Sequence, residues 1–66
     1  MKVTKSDIGK SCLVEFDDIG RTEGMILDSS ESPWVQVFLF HDKTIDNVEP
    51  NQIIEMGPFV KPPKRH

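Results

Sequence analysis

Apolar and polar residues alternate along much of this chain with a period of two. In residues 11–16, for example, Cys12, Val14 and Phe16 fall on one side of an extended backbone. This period is typical of β-strands that bury one face. No window of a dozen residues shows the i, i+3, i+4, i+7 spacing of an amphipathic helix. The pattern therefore predicts an all-β chain.

Turn-forming residues divide the alternating segments into five predicted strands. Asp17, Asp18 and Gly20 form the first tight turn, because short acidic side chains and glycine favour turn conformations. Pro50 stands where a single 3-10 turn can begin before the last strand. The predicted strands are residues 11–16, 22–28, 34–40, 45–48 and 53–56. Short antiparallel strands joined by hairpins predict a small, strongly bent barrel, whose closure would remove exposed sheet edges.

The alternation also predicts the core of this barrel. Gly24 lies inside a strand, and a glycine there indicates a bend or the close approach of another backbone. The predicted interior residues are Val14, Gly24, Ile26, Val35, Val37, Leu39, Val48 and Ile53. A core of this size supports a stability of only a few kcal/mol.

Composition agrees with the strand pattern and limits the size of the domain. The 66 residues include no alanine and three leucines but six valines and six isoleucines, which suit a pleated surface. A chain of this length forms one domain. We assign a polar lead-in to residues 1–7, the barrel to residues 8–57 and a proline-containing basic tail to residues 58–66. So small a chain has little room for an enclosed active site, so the expected function is non-catalytic, with no cofactor.

The residues that bear on targeting and metal binding predict a cytoplasmic protein. The chain has no apolar run long enough to cross a bilayer, and its N-terminus lacks the apolar stretch of a signal peptide. Cys12 is the single cysteine, and it lies far in sequence from both histidines. That spacing does not match a zinc site. We therefore expect a soluble protein without a metal site.

Charge is distributed unevenly along the chain. Residues 1–10 carry a net charge of +2, residues 11–60 carry −8 and residues 61–66 carry +3, which together give −3. An acidic body attracts cationic partners. Nucleic-acid phosphates instead require clustered lysine and arginine, which the body lacks.

Large aromatic residues mark the third predicted strand. If the valines of residues 34–40 face the core, then Trp34, Phe38 and Phe40 face outward. Three outward aromatic side chains on one strand form an apolar patch of the kind that marks an interface. Carboxylates from the two adjacent turns are expected to surround this patch: Asp17, Asp18 and Asp42.

An aromatic strand beside carboxylates fits a partner that is both cationic and apolar. A peptide bearing arginine or lysine can pack its aliphatic stems on the rings and pair its charges with the carboxylates. On this hypothesis, charge reversal at Asp17 and Asp18 weakens binding. Two alternatives stay open: barrel curvature brings Phe38 or Phe40 into the core, or residues 34–40 form a homodimer interface.

Part of the sequence resembles a Tudor domain. The run IGKSCLVEF at residues 8–16, then Gly20, GMI at residues 24–26 and VQVF at residues 35–38 match its strand pattern. The resemblance implies a five-stranded SH3-like barrel with an aromatic cage that holds a methylated lysine or arginine by cation–π attraction. The positions that match or fall near this cage are Phe16, Phe38, His41 and Asp42, with Thr22 where the family has tyrosine or tryptophan.

A second, shorter resemblance suggests an alternative function. GRTEGMI at residues 20–26 is similar to the first motif of Sm-like RNA-binding rings, whose second motif is absent. The tail lysines together with stacking aromatic residues would serve a nucleic-acid-associated barrel. For the main hypothesis of protein binding, the candidate site residues are Phe16, Asp17, Asp18, Trp34, Phe38, Phe40, His41 and Asp42.

Overall fold

The computed structural model describes residues 2–30 and 33–60. These residues form five β-strands and two short 3-10 helices, which confirms the all-β prediction. The strands are β1 (Lys10–Phe16), β2 (Gly20–Asp28), β3 (Val35–Leu39), β4 (Thr44–Val48) and β5 (Ile53–Phe59). The 3-10 helices are η1 (Lys5–Asp7) and η2 (Pro50–Gln52), and η2 stands before the last strand as predicted.

The element boundaries differ from the predicted ones at both ends of the chain. Three of the seven residues assigned to the polar lead-in form η1. At the other end, β5 continues through Pro58 to Phe59, so these two residues belong to the sheet and not to a tail. Proline is tolerated there because β5 is an edge strand, and edge strands need fewer backbone donors. The remaining predicted tail, residues 61–66, lies outside the described residues.

The five strands form one antiparallel sheet in the order β4-β3-β2-β1-β5. No ladder joins β4 to β5 among residues 2–30 and 33–60, so the sheet is not closed as the barrel prediction required. The chain passes from β4 to β5 through Glu49 and η2. Both edges of β3 are hydrogen-bonded, to β2 and to β4. A homodimer through residues 34–40 would therefore have to pack side chain against side chain and could not extend the sheet.

The core lies on one face of this sheet. All eight predicted interior residues are buried, including Gly24, and Cys12 is buried with them. Phe16 and Met56 are partly buried and pack against this cluster. Burial raises the pKa of the Cys12 thiol, which therefore stays protonated at neutral pH. Cys12 is thus a core residue in this fold.

Irregularities in strand pairing decide which side chains reach the outer face. Val14 pairs with Ile53, but its neighbour Leu13 pairs with Glu55, so Ile54 is an extra residue in β5. Such a β-bulge exchanges the two faces for the residues that follow it, here as far as a second register shift between Met56 and Phe59. Glu55 therefore lies on the outer face beside Leu13, and Met56 turns toward the core.

Asp7 is a buried acidic residue that the sequence pattern does not predict. It is 8% exposed. Its carboxylate accepts hydrogen bonds from the Thr4 backbone nitrogen at 2.9 Å and from Lys10 Nζ at 2.9 Å. The Thr4 backbone hydrogen bond and, next, the Lys10 contact lower the pKa of this carboxyl. Asp7 thereby connects η1 to the start of β1.

Asp7→Asn is expected to reduce the free energy of unfolding at neutral pH. A depressed folded-state pKa contributes stability above the unfolded-state pKa, and this contribution disappears as pH falls through the folded-state value. The difference between wild type and variant should therefore be largest near pH 7 and shrink below about pH 4. Urea unfolding across this pH range measures it. Asp17→Asn, which removes an exposed turn carboxylate, is the matched control, and equal pH profiles for the two variants would contradict the prediction.

Candidate functional site

The outer face of the sheet carries a row of apolar side chains across three strands. Ile45 on β4 pairs with Phe38 on β3, and Phe38 pairs with Met25 on β2. The residues that flank Phe38 on β3 and Met25 on β2 are buried, so Phe38 and Met25 face outward, and Ile45 lies on the same face because it pairs with Phe38. Ile45 is 59% exposed, although a buried environment would suit it better. This row is the centre of the candidate site.

A second row runs beside the first and adds an aromatic residue and a leucine. Phe40 follows β3, and its ring lies 5.9 Å from the ring of Phe38 in an edge-to-face arrangement. Its backbone nitrogen donates to the carbonyl of Glu23, and Glu23 in turn pairs with Leu13 on β1. The two rows together form what we call the outer patch: Leu13, Met25, Phe38, Phe40 and Ile45.

Two carboxylates flank the leucine of this patch. Glu23 on β2 and Glu55 on β5 are the cross-strand partners of Leu13 on its two sides. Both are exposed, and neither side chain has a hydrogen-bond or ion-pair partner in the described part of the chain. Leu13, Glu23 and Glu55 also line one shallow depression of the surface. A cation placed over Leu13 would therefore meet a carboxylate on either side.

The neighbouring cation does not neutralise these carboxylates. Arg21 lines a second depression with Leu13, Glu23 and Phe40, but its Nε donates to Glu15 at 3.1 Å. Both side chains of that pair are more than half exposed, so the pair contributes little to stability. The outer patch thus has an uncompensated negative charge at Glu23 and Glu55.

The acidic residues predicted to surround the aromatic strand are used differently. Asp18 accepts a hydrogen bond from the nitrogen of Ile19 within its own turn. Asp42 accepts from the Thr44 hydroxyl at 2.7 Å, and this hydrogen bond lowers the pKa of the Asp42 carboxyl. Asp17 lines a polar depression next to η2. The structure therefore places these three aspartates in turns or beside η2. The carboxylates that flank the leucine of the outer patch belong instead to Glu23 and Glu55.

Trp34 stands at the opposite end of β3 from Phe40. It precedes β3 and is 46% exposed. It lines one depression with Gln36 and Asn47 and another with Pro33 and Pro50. Trp34 and Phe40 are thus both exposed, at the two ends of β3, and Phe38 lies between them in a half-buried position.

The aromatic cage implied by the Tudor resemblance is not assembled at the matching positions. Phe16 packs against the core, whereas Phe38 lies on the outer face, so the sheet separates the two rings. Thr22 and His41 do meet, with Oγ1 and Nδ1 3.1 Å apart, but neither is an aromatic hydrocarbon face for a methylated ammonium group. His41 also lies 3.4 Å from Asp42.

Comparisons with protein-family models, curated protein sequences and solved structures found no significant match to this chain. The structure shows a small five-stranded antiparallel sheet that is compatible with a small barrel fold. Residues 2–30 and 33–60 include no helix with the length and hydropathy needed to span a bilayer. In the same ranges no three histidine, cysteine or acidic side chains are grouped as metal ligands would be.

Sequence reasoning missed most residues of the outer patch because it considered one strand at a time. The alternation that places Cys12 and Val14 on one side of β1 places Leu13 on the other side, and it likewise places Glu23 and Met25 opposite Gly24. Pairing these strands would have brought the outward residues together. Glu55 carries no such signal, because its orientation depends on the bulge at Ile54.

Proposed function

We propose that this protein is a non-catalytic binding module that docks a cationic, partly apolar protein segment on the outer patch. The observation that supports this function is an apolar patch with unpaired carboxylates beside its leucine. The cytoplasmic location inferred from the sequence stays a prediction and is compatible with such a role.

The chemistry of the patch favours arginine in the partner. A guanidinium group over Leu13 could donate to Glu23 on one side and Glu55 on the other, because it presents several donors in one plane. Its aliphatic stem would pack on neighbouring apolar side chains such as Met25. Apolar side chains of the partner would cover Phe38 and Ile45. The overall charge of −8 on residues 11–60 would also accelerate the encounter with a cationic segment.

The electrostatic part of the proposal is tested with two charge-matched double variants. Isothermal titration calorimetry measures the binding of a peptide that contains arginine and leucine. Each exposed carboxylate–guanidinium pair contributes about 0.2–1 kcal/mol, so Glu23→Gln with Glu55→Gln should weaken binding about 2- to 30-fold. Asp17→Asn with Asp18→Asn removes the same charge elsewhere and should have a much smaller effect. Equal losses in both variants would show that net charge alone attracts the peptide.

The proposed contact of the peptide with the apolar side chains of the outer patch is tested by locating the bound peptide with nuclear magnetic resonance. Backbone amide signals of β2, β3 and β4 should shift on titration, and those of the Asp17–Asp18 turn should not. Ile45→Ser should weaken binding without unfolding the protein, because Ile45 is already 59% exposed. Shifts confined to the surface around Trp34 and η2 would move the docking site and overturn the proposal.

A further inference from the structure

Trp34 lies beside the segment that connects β4 to β5. Val35 pairs with Val48 across β3 and β4. Trp34 stands one residue before this pair and Glu49 one residue after it, so antiparallel pairing brings the two together. Both valines are buried, whereas Trp34 is 46% exposed. The surface depression at this place, which we call the Trp34 cleft, is lined by Pro33, Trp34, Glu49, Pro50 and Asn51.

Hydrogen bonds within η2 hold one wall of the Trp34 cleft in place. The backbone nitrogen of Gln52 donates to the carbonyl of Glu49 at 2.9 Å, and the backbone nitrogen of Glu49 donates to Gln52 Oε1 at 2.8 Å. Gln52 Nε2 donates in turn to the carbonyl of Glu15 on β1 at 3.4 Å. The cleft is therefore formed before a ligand arrives, which lowers the entropic cost of binding.

The Trp34 cleft offers apolar rings together with a hydrogen-bond donor. Trp34 and Pro33 are both exposed, and an indole ring supplies a large aromatic surface with one N–H group. The Trp34 Nε1–H has no hydrogen-bond acceptor among residues 2–30 and 33–60. A segment in the polyproline II conformation matches both features. Its prolines are apolar rings, and its backbone carbonyls make no internal hydrogen bonds and can accept from the indole.

Carboxylates lie beside the Trp34 cleft. Glu49 and Asn51 also line the neighbouring depression, together with Glu15, Asp17 and Gln52. Glu15 is paired with Arg21, but neither Glu49 nor Asp17 has an ion-pair partner in the described part of the chain. A basic residue next to the prolines of a ligand could therefore pair with these two carboxylates. Charge complementarity thus favours a proline-containing segment with a basic flank.

We infer that the Trp34 cleft binds an extended, proline-containing segment of a partner protein. The prolines pack on Trp34, and a flanking basic residue pairs with Glu49 and Asp17. Such a segment loses little conformational entropy on binding, because prolines keep it extended before it binds. The residues of the Trp34 cleft are different from those of the outer patch. The inference therefore does not rest on the docking proposed for the outer patch, and either can fail without the other.

The fluorescence of Trp34, the single tryptophan of the chain, tests this inference directly. A synthetic peptide of six prolines followed by two arginines should change the Trp34 emission until binding saturates. A peptide of six glycines followed by two arginines has the same charge. It should bind at least about 10-fold more weakly, because it has no rings and must be ordered on binding. Equal affinities would show that charge alone attracts the peptides and would overturn the inference. So would an absence of binding by the proline peptide, whatever the arginine–leucine peptide does at the outer patch.

Substitutions of Trp34 test the contact with the prolines. Isothermal titration calorimetry measures the proline–arginine peptide without depending on the tryptophan. Trp34→Ala should weaken binding about 30-fold or more, the loss found for aromatic anchors of interfaces. Trp34→Phe retains an aromatic ring but loses the N–H donor, and it should weaken binding about 2- to 10-fold. Unchanged binding by both variants, with circular dichroism confirming that they fold, would overturn the inference.

Two charge-matched double variants test the pairing of the basic flank. Glu49→Gln with Asp17→Asn should weaken binding of the proline–arginine peptide about 2- to 30-fold. Asp18→Asn with Asp46→Asn is the control. Each of these two carboxylates accepts a hydrogen bond from the backbone nitrogen of the next residue, which asparagine can also accept. The control should have a much smaller effect, and equal losses in the two double variants would overturn the assigned position of the basic residue.

Discussion

Replacing Ile26 with alanine is expected to remove most or all of the stability of this domain. Ile26 is fully buried on β2 and is one of the largest buried side chains. Isoleucine-to-alanine substitutions in cores cost about 2–5 kcal/mol, because apolar contacts are lost and a cavity stays behind. A single core in a domain of this length rarely supplies more than about 3–5 kcal/mol. Urea unfolding at 25 °C should therefore show a greatly reduced or absent folded baseline.

Two further variants keep this prediction measurable. Ile26→Val should remain folded and lose about 0.5–1.5 kcal/mol, which allows the unfolding midpoint to be determined. Ile45→Ala removes the same atoms from the exposed face of β4 and should change stability by less than about 0.5 kcal/mol. Equal losses of stability in Ile26→Ala and Ile45→Ala would contradict the structure, in which Ile26 is buried and Ile45 is exposed.

Gly24→Ala is expected to destabilise the protein by about 1–3 kcal/mol, the range found for overpacked cores. A Cβ atom at this position would lie 2.5 Å from the carbonyl oxygen of Phe38 on the neighbouring strand. That oxygen belongs to the backbone, so the strain can be relieved only by separating β2 from β3. The close backbone approach predicted from the sequence is confirmed here, and thermal unfolding measures its cost.

Gly20 provides the control, because glycine is favoured at this position by the backbone conformation and not by a lack of space. Its φ is +76°, and no atom of the described residues lies within 4 Å of an added Cβ. Asparagine tolerates this backbone conformation better than alanine, so Gly20→Asn should be milder than Gly20→Ala. At Gly24 both substitutions should destabilise, since any Cβ meets the same carbonyl. If asparagine rescued Gly24, backbone conformation and not space would be the constraint there.

The core and the order of the elements could be predicted because they depend on local alternation. Val14, Ile26 and Val37 each stand between polar or outward residues, and a period of two is enough to assign them. The turn residues set the strand limits to within a few positions. Closure of the barrel could not be decided in this way, because it depends on how far β4 and β5 are separated after the whole sheet has curved.

The candidate site was predicted only in part, because side-chain direction depends on register. The outward direction of Phe38 and Phe40 was expected only if the valines of this strand face the core, and Val35 and Val37 are indeed buried. Phe16 was correctly placed on the inner side of β1, yet the family resemblance grouped it with Phe38 across the sheet. The orientation of Glu55 follows from one bulged residue in β5, and the local sequence does not predict this bulge.

The pairing of β1 with β5 also sets the order in which the protein can fold. β1 lies between β2 and β5, and its contacts with β5 connect residues 10–14 to residues 53–59. The hairpins of β2, β3 and β4 are local and can form early, but β1 gains its second neighbour only after about forty residues of chain have been looped back. Folding rates fall as contacts become less local, so this small domain should fold in milliseconds to seconds and not in microseconds. On the ribosome, an emerging chain would expose one side of β1 until the Ile53–Phe59 segment has left the exit tunnel.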